Sequence, residues 1–279
     1  LRGKAVAGLD AGKNLEQLSA AEVKELGLEV RKAKQEPWRR ANLEDYMLST
    51  LEPLFPEAVG AQPDSQKEVY NTIAVVNIGK NRIRSLQRNT LERLLFLTKL
   101  DARANYISEI PAVRSMANLK TLILSHNRIS DPKVLRFVPS SVLHLDISSN
   151  HLASLDGLAL PFLQTLIAAG NNFDYIGQWL GDLPRMSELD LSRCSLGPDS
   201  GLAERFGVTQ MVNLRKLDIS DNELSMKCLD ILSEALPRRC PKLEELLCLD
   251  NPFCQEDSHY LARLLLIPGI KKLDHASIG

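Results

Sequence analysis

The sequence is short of several things at once, and each shortage closes off a class of protein. Aromatic residues make up only 5% of its 279 positions, too few to furnish the stacking surfaces of a dedicated nucleic-acid binder. No apolar run approaches the ~20 residues that a membrane-spanning helix needs, and no secretory leader stands ahead of the patterned region. Phosphate loops of the G-x-x-x-x-G-K-S/T kind are missing, as is any G-x-G-x-x-G. The five cysteines, Cys194, Cys228, Cys240, Cys248 and Cys254, all lie beyond residue 190 and show no C-x-x-C or Cys/His spacing. Zinc is therefore not expected. An odd number of thiols without a paired framework points to a reducing compartment. The chain opens on Leu1 instead of Met, so we read it as a piece of a longer protein.

What the sequence has in abundance is leucine in a fixed rhythm. "LDISSNHL" at 145–152 returns as "LDISDNEL" at 217–224. Around the Asn of each copy, apolar residues stand eight, five and three places before it and two places after. The same rule picks out Asn81, Asn105, Asn127, Asn150, Asn171, Cys194, Asn222 and Asn251, at intervals of 24, 22, 23, 21, 23, 28 and 29 residues. Strand alternation sends the leucines of x-L-x-L to one side and the x residues to the other. A single unit would expose its apolar side, so the units must stack. The reference Asn is expected to be a buried amide serving backbone groups where the chain leaves the strand, with Cys194 as a weaker donor in its place. The last two intervals leave room for a full helix such as "MKCLDILSEALPRRC" at 226–240.

This pattern resembles the leucine-rich repeat template, L-x-x-L-x-L-x-x-N-x-L. The resemblance implies an α/β fold: a leucine-rich repeat solenoid of about eight repeats, with a parallel sheet on its concave face, an N-terminal helical cap and a C-terminal cap. We expect a polar, partly helical extension over 1–41, with Ser19 and Glu22 as a capping box. A capping helix and linker follow over 42–70, opened by Asn42 and striped by Leu43, Met47, Leu51, Leu54 and Phe55. Repeats fill 71–257, and a C-terminal cap fills 258–279. There, Tyr260 through Leu273-Asp274 resembles the cap of cytoplasmic leucine-rich repeat proteins of the phosphatase-regulator class, although His275 stands where a core residue is due. "NPFC" at 251–254 echoes the disulfide cap of secreted repeat proteins, but no cysteine follows Cys254. The regulator-like class includes ciliary, centrosomal, spliceosomal and mRNA-export adaptors. It implies a non-catalytic scaffold in cytoskeletal or ciliary assembly, with a phosphatase regulatory subunit or an RNA-particle or mRNA-export adaptor as alternatives.

Outward strand positions lie six, four and two places before each reference residue. They offer Lys99, Asp101, Arg103, His144, Asp146, Asp190 and Asp218 as candidate partner contacts on a shallow face that encloses no cofactor. His126, His144 and Asp146 come nearest to an acid/base group. No activated nucleophile accompanies them, so catalysis is not expected. Charge is more telling. Residues 71–140 hold 12 Lys/Arg against 4 Asp/Glu, whereas 141–279 hold 12 against 19. The position after each reference Asn reads Arg82, Tyr106, Arg128, His151, with Lys80, Arg84 and Arg103 close by in sequence. His126 falls one place before its own reference Asn. Stacked, these form a basic edge suited to an acidic segment of a protein partner; a merely solvated face is the plain alternative, and neither nucleic acid nor membrane is expected. The same charge asymmetry raises weak head-to-tail self-association. Sedimentation at low and high salt separates the readings: a monomer throughout fits the acidic-partner reading, and a salt-sensitive rise in mass fits self-association.

Overall fold

The computed structural model describes residues 40–49, 73–86, 91, 94–274 and 276–278. The chain forms two compact units, Leu1–Arg128 and Ile129–Gly279. In the first, strands β1 (Arg40–Asn42), β2 (Val75–Asn77), β3 (Lys99–Asp101) and β4 (Thr121–Ile123) pair in parallel in chain order. In the second, β5 (His144–Asp146), β6 (Thr165–Ile167), β7 (Glu188–Asp190), β8 (Lys216–Asp218), β9 (Glu245–Leu247) and β10 (Lys272–Leu273) do the same. A final strand, β11 (Ala276–Ser277), turns back antiparallel on β10. Each three-residue strand of a repeat buries its middle residue, and register stacks those residues: Val76 on Leu100 on Leu122, and Leu145 on Leu166 on Leu189 on Leu217 on Leu246. A fully buried Leu is worth ~1.5–3 kcal/mol, so the column is a continuous apolar spine. The architecture is the parallel-sheet solenoid that the repeats call for.

Return segments scale with interval length. The shorter intervals close with 3-10 turns such as Pro111–Ser115, Pro132–Phe137 and Gln178–Asp182. The 28-residue interval holds helix α1 (Leu202–Val208), and the 29-residue interval holds α2 (Met226–Arg239), which packs against α1. Two short helices, α3 (Pro252–Glu256) and α4 (Tyr260–Leu264), then lead into the last strands.

The reference side chains form a ladder. Asn105 donates from Nδ2 to the Ile78 carbonyl of the preceding repeat at 2.9 Å and to Ala102 O of its own at 3.1 Å; its Oδ1 accepts the Ile83 N–H at 3.0 Å. Asn222 donates to Leu191 O at 2.9 Å and Ile219 O at 3.0 Å, and accepts from the N–H groups of Cys194 and Leu196, both at 3.0 Å. One buried amide thus joins two turns of backbone that water cannot reach. Cys194 has no amide oxygen to offer. Its Sγ donates to Ala168 O and Ser192 O at 3.3 Å, and the Phe173 N–H goes to the Cys194 carbonyl instead, at 3.1 Å. Burial pushes the Cys194 thiol up to about 12, which keeps it protonated as a donor. The residue before each reference position is left-handed, with φ between 50° and 65° at Lys80, Ala104, His126, Ser149, Gly170, Arg193, Asp221 and Asp250.

The helix expected from Asn42 onward does not form over the described part of that stretch. Arg40–Asn42 is a strand on β2, and Leu43 N and Asp45 N continue the ladder to Asn77 O and Gly79 O at 2.7 and 3.1 Å. Asn81 Oδ1 accepts from Tyr46 N and Leu48 N, both at 3.0 Å, and Asn81 Nδ2 donates to Leu43 O at 2.8 Å. Asp45 is left-handed with φ 64°, as the residue before a reference position is elsewhere. Ala41, Leu43 and Leu48 hold the template offsets around Tyr46, so this is a repeat with Tyr in the Asn position. The physical reason is the edge of β2: a parallel strand satisfies its backbone groups, and a helix would leave them unpaired. Leu51, Leu54 and Phe55 of the expected stripe lie outside the described residues, as do Ser19, Glu22 and His275.

Asn222→Ala should cost ~1–3 kcal/mol of stability, because five backbone groups lose a hydrogen bond to its amide. Asn222→Cys, copying the natural Cys194 arrangement, should cost less. Denaturant unfolding of both variants measures this, and an unchanged midpoint for the alanine variant would contradict a structural role.

Candidate interaction surface

The first unit sorts its cations into occupied and unoccupied. Lys80 Nζ lies 3.0 Å from Glu44, a carboxylate that Asn77 also holds by an Nδ2–H bond at 3.0 Å. The Lys80 ammonium, ahead of the other favourable contacts, holds the Glu44 carboxyl below the usual range despite some opposing desolvation. Arg103 folds back on Asp101, its Nε donating to Oδ1 at 3.1 Å. Asp101, expected as an exposed contact, is only 3% exposed. The expectation of an exposed side chain is thus corrected: the carboxylate is buried beneath the Arg103 guanidinium. Arg82, Arg84, Lys99, His126 and Arg128 are exposed. Among the described residues none of the four Arg and Lys side chains in that group has an ionic partner. The Arg128 guanidinium lies over the Tyr106 ring, 4.3 Å from its centroid.

In the second unit the strand face neutralises itself. Cross-strand register sets Glu188, Lys216, Glu245 and Lys272 side by side. Lys272 meets Glu245 at 2.8 Å and Lys216 meets it at 3.5 Å. One residue earlier, Arg215 and Lys271 flank Glu244 at 2.6 and 3.2 Å. Pattern reading missed these rows; comparing equal template positions across repeats would have shown their alternating signs. The neighbouring column is acidic. Asp146, Asp190 and Asp218 each accept the N–H and hydroxyl of the serine two residues on, at 2.6–3.0 Å. Desolvation raises the Asp190 carboxyl above its usual value; the bonds from Ser192 oppose this, Asp218 on the next strand adds to it and Lys216 offsets it.

Of the candidate acid/base group, His144 and Asp146 lie on β5 of the second unit, and His126 lies in the first. His144 Nδ1 is 3.1 Å from Thr165 Oγ1, and Asp146 is occupied by Ser148. No hydrogen bond joins His144 to Asp146 among the described residues. At the C-terminal end, Asp274 Oδ1 accepts the N–H groups of Cys248 and Leu249 at 2.7 and 3.1 Å, and Tyr260 donates its hydroxyl to Oδ2 at 3.1 Å. Tyr260 also packs edge-on against Phe253, ring centroids 5.7 Å apart. These contacts close the last repeat, and they use the Tyr and Leu-Asp residues of the cap-like motif.

Models of the leucine-rich repeat match residues 115–132 and 213–235. The chain is 31% identical over 165 residues to Toll-like receptor 2 type-1 of Gallus gallus, covering 58% of this chain and 20% of the receptor. It thus spans about a fifth of that relative. Rabbit (Oryctolagus cuniculus) fibromodulin is 31% identical over 131 residues, 46% of this chain and 87% of the matched sequence. U2 small nuclear ribonucleoprotein A' of Schizosaccharomyces pombe is 32% identical over 98 residues, 35% of this chain and 38% of that protein. Two solved structures share the fold. The TLR13–ssRNA13 complex aligns with TM-score 0.60 at 19% identity, over 89% of this chain and 34% of its own. YopM from Yersinia enterocolitica aligns with TM-score 0.51 at 24%, over 74% and 38%.

An acid whose pKa is raised by folding binds its proton more tightly in the native state. Its contribution to stability is then largest at low pH and falls as pH climbs from the ordinary Asp value to the raised one. Asp190→Asn, which keeps an acceptor oxygen for Ser192, should raise the melting temperature at neutral pH. The gain should vanish on acidification toward about pH 4. A variant that is destabilised equally at every pH would contradict this.

Proposed function

The chain belongs to the leucine-rich repeat proteins, and from that premise we propose that it is a non-catalytic scaffold that binds a protein partner. The exposed strand positions and the basic edge of the first unit provide the contacts. The observation that carries this reading is the contrast in charge pairing. Arg82, Arg84 and Arg128 are exposed and unpaired among the described residues, whereas Lys80, Arg103 and the cations of the second unit's sheet are matched by carboxylates. An unpaired basic edge is suited to an acidic segment and steers its approach. Self-neutralised rows of the second unit favour rigidity over attraction. We place the protein in the cytoplasm, in ciliary or cytoskeletal assembly, on the likeness of its Tyr260–Asp274 cap to regulator-class proteins. Phosphatase regulation belongs to the same likeness. A second reading, an adaptor in an RNA particle, draws on the similarity to U2 small nuclear ribonucleoprotein A'.

Affinity capture supplies the partner, and kinetics tests the edge. Reversing Arg82, Arg84 and Arg128 to Glu should slow association far more than dissociation, because peripheral charges act mainly on encounter. The effect should shrink at 0.15 M salt, where the screening length is about 8 Å. Asp190 and Asp218 substitutions should not reproduce it. An unchanged association rate at low salt would make the basic edge ordinary solvated surface.

A further inference from the structure

We infer that Arg82, Tyr106 and Arg128 form a registered docking strip for an extended acidic protein segment whose two carboxylates stand three residues apart. The inference rests on the interaction reading above and adds its spacing. The three residues occupy one template position in successive repeats, directly after each reference Asn. The parallel ladder reaches them: Tyr106 N donates to Ile83 O and Arg128 N to Ile107 O, both at 2.9 Å. Strand-like spacing of ~4.8 Å per repeat therefore sets the backbones of Arg82 and Arg128 about 10 Å apart along the stack, within reach of both flexible side chains. An extended chain in the polyproline II conformation rises about 3.1 Å per residue with three residues per turn, so its positions i and i+3 share a face and span about 9 Å. A segment crossing the repeats places one carboxylate on each guanidinium.

Side-chain chemistry supports the pairing. Arg128 is held over the Tyr106 ring by a contact that leaves its N–H groups free for a bidentate carboxylate. Competing cations nearby are silenced, Lys80 by Glu44 and Arg103 by Asp101. Arg84 lies two places further on, where the next repeat offers Ser108, linked to it by a Ser108 N–H to Arg84 O bond at 3.0 Å. It adds attraction but no second registered arginine. Tyr106 is the sole aromatic among the three and has one face covered by Arg128, so base stacking along a nucleic-acid strand has no platform here.

The test is a chemical-shift titration of the isotope-labelled 279-residue chain with composition-matched synthetic peptides. They carry two glutamates at i and i+3, at i and i+1, or at i and i+6. The i, i+3 peptide should bind about fivefold more tightly than the adjacent-Glu peptide, the worth of one added arginine–carboxylate pair at an exposed site. Arg82→Ala or Arg128→Ala should each erase that preference, whereas Arg84→Ala should weaken all three peptides and keep their order. Equal binding of the three peptides would overturn the register while leaving the basic edge attractive to acid. No binding by any of them at low salt would overturn the acidic-edge reading as well. Tighter binding of an oligonucleotide of equal charge, lost in Arg82→Ala, would overturn the choice of a protein segment.

Discussion

A buried amide that serves two turns of backbone at once is the interaction on which everything else depends. Three-residue strands are too short to hold a sheet by their own ladder bonds, and their ends leave N–H and C=O groups facing an apolar interior. The reference Asn answers both problems. Asn105, Asn171, Asn222 and Asn251 each donate back to a carbonyl of the preceding repeat and accept an N–H there. Side chains at the outward positions are then free of structural duty. They carry the charge of the sheet face, and it is there that the two units differ.

The difference has a chemical meaning. Glu244 and Glu245 in the second unit meet lysines and an arginine across strands, and Glu245 is held below the usual carboxylate range first by its bond to Lys272. Attraction is spent internally. In the first unit two cations are neutralised locally, and an arginine pair bracketing a tyrosine is left for something outside. Sulfur follows the same division between structure and surface. Burial pushes the Cys194 and Cys240 thiols up to about 12, so both serve as small apolar packing and, at Cys194, as a hydrogen-bond donor.

Much of this was legible in the sequence because the repeat is a physical period. The eight reference positions, the strand at each, and the long return helix at 226–239 all follow from spacing and alternation. The first repeat was hidden for two reasons. Tyr46 stands in the Asn position, and the interval to Asn81 is 35 residues, so counting forward from known repeats never reaches it. The offsets of Ala41, Leu43 and Leu48 carried the signal; the apolar run Leu43, Met47, Leu51 read equally well as a helical stripe. Asp101 was misread as exposed because alternation gives the direction of a side chain but not what covers it. Its cover, Arg103, is two residues along and on the same face. Ion pairing across repeats was overlooked for a related reason: its partners stand 27 to 29 residues apart and meet only when equal template positions are compared.

Native-state hydrogen exchange tests the ladder most directly. The amides of Ile83, Ile107, Leu152, Leu196 and Leu224 lie outside the strands, and each donates to a reference Asn at 2.9–3.1 Å. The ladder predicts that they exchange as slowly as the strand-centre amides of Leu100, Leu166 and Leu217. Exchange of these five at the rate of exposed loop amides would show that the asparagines do not hold the repeats together.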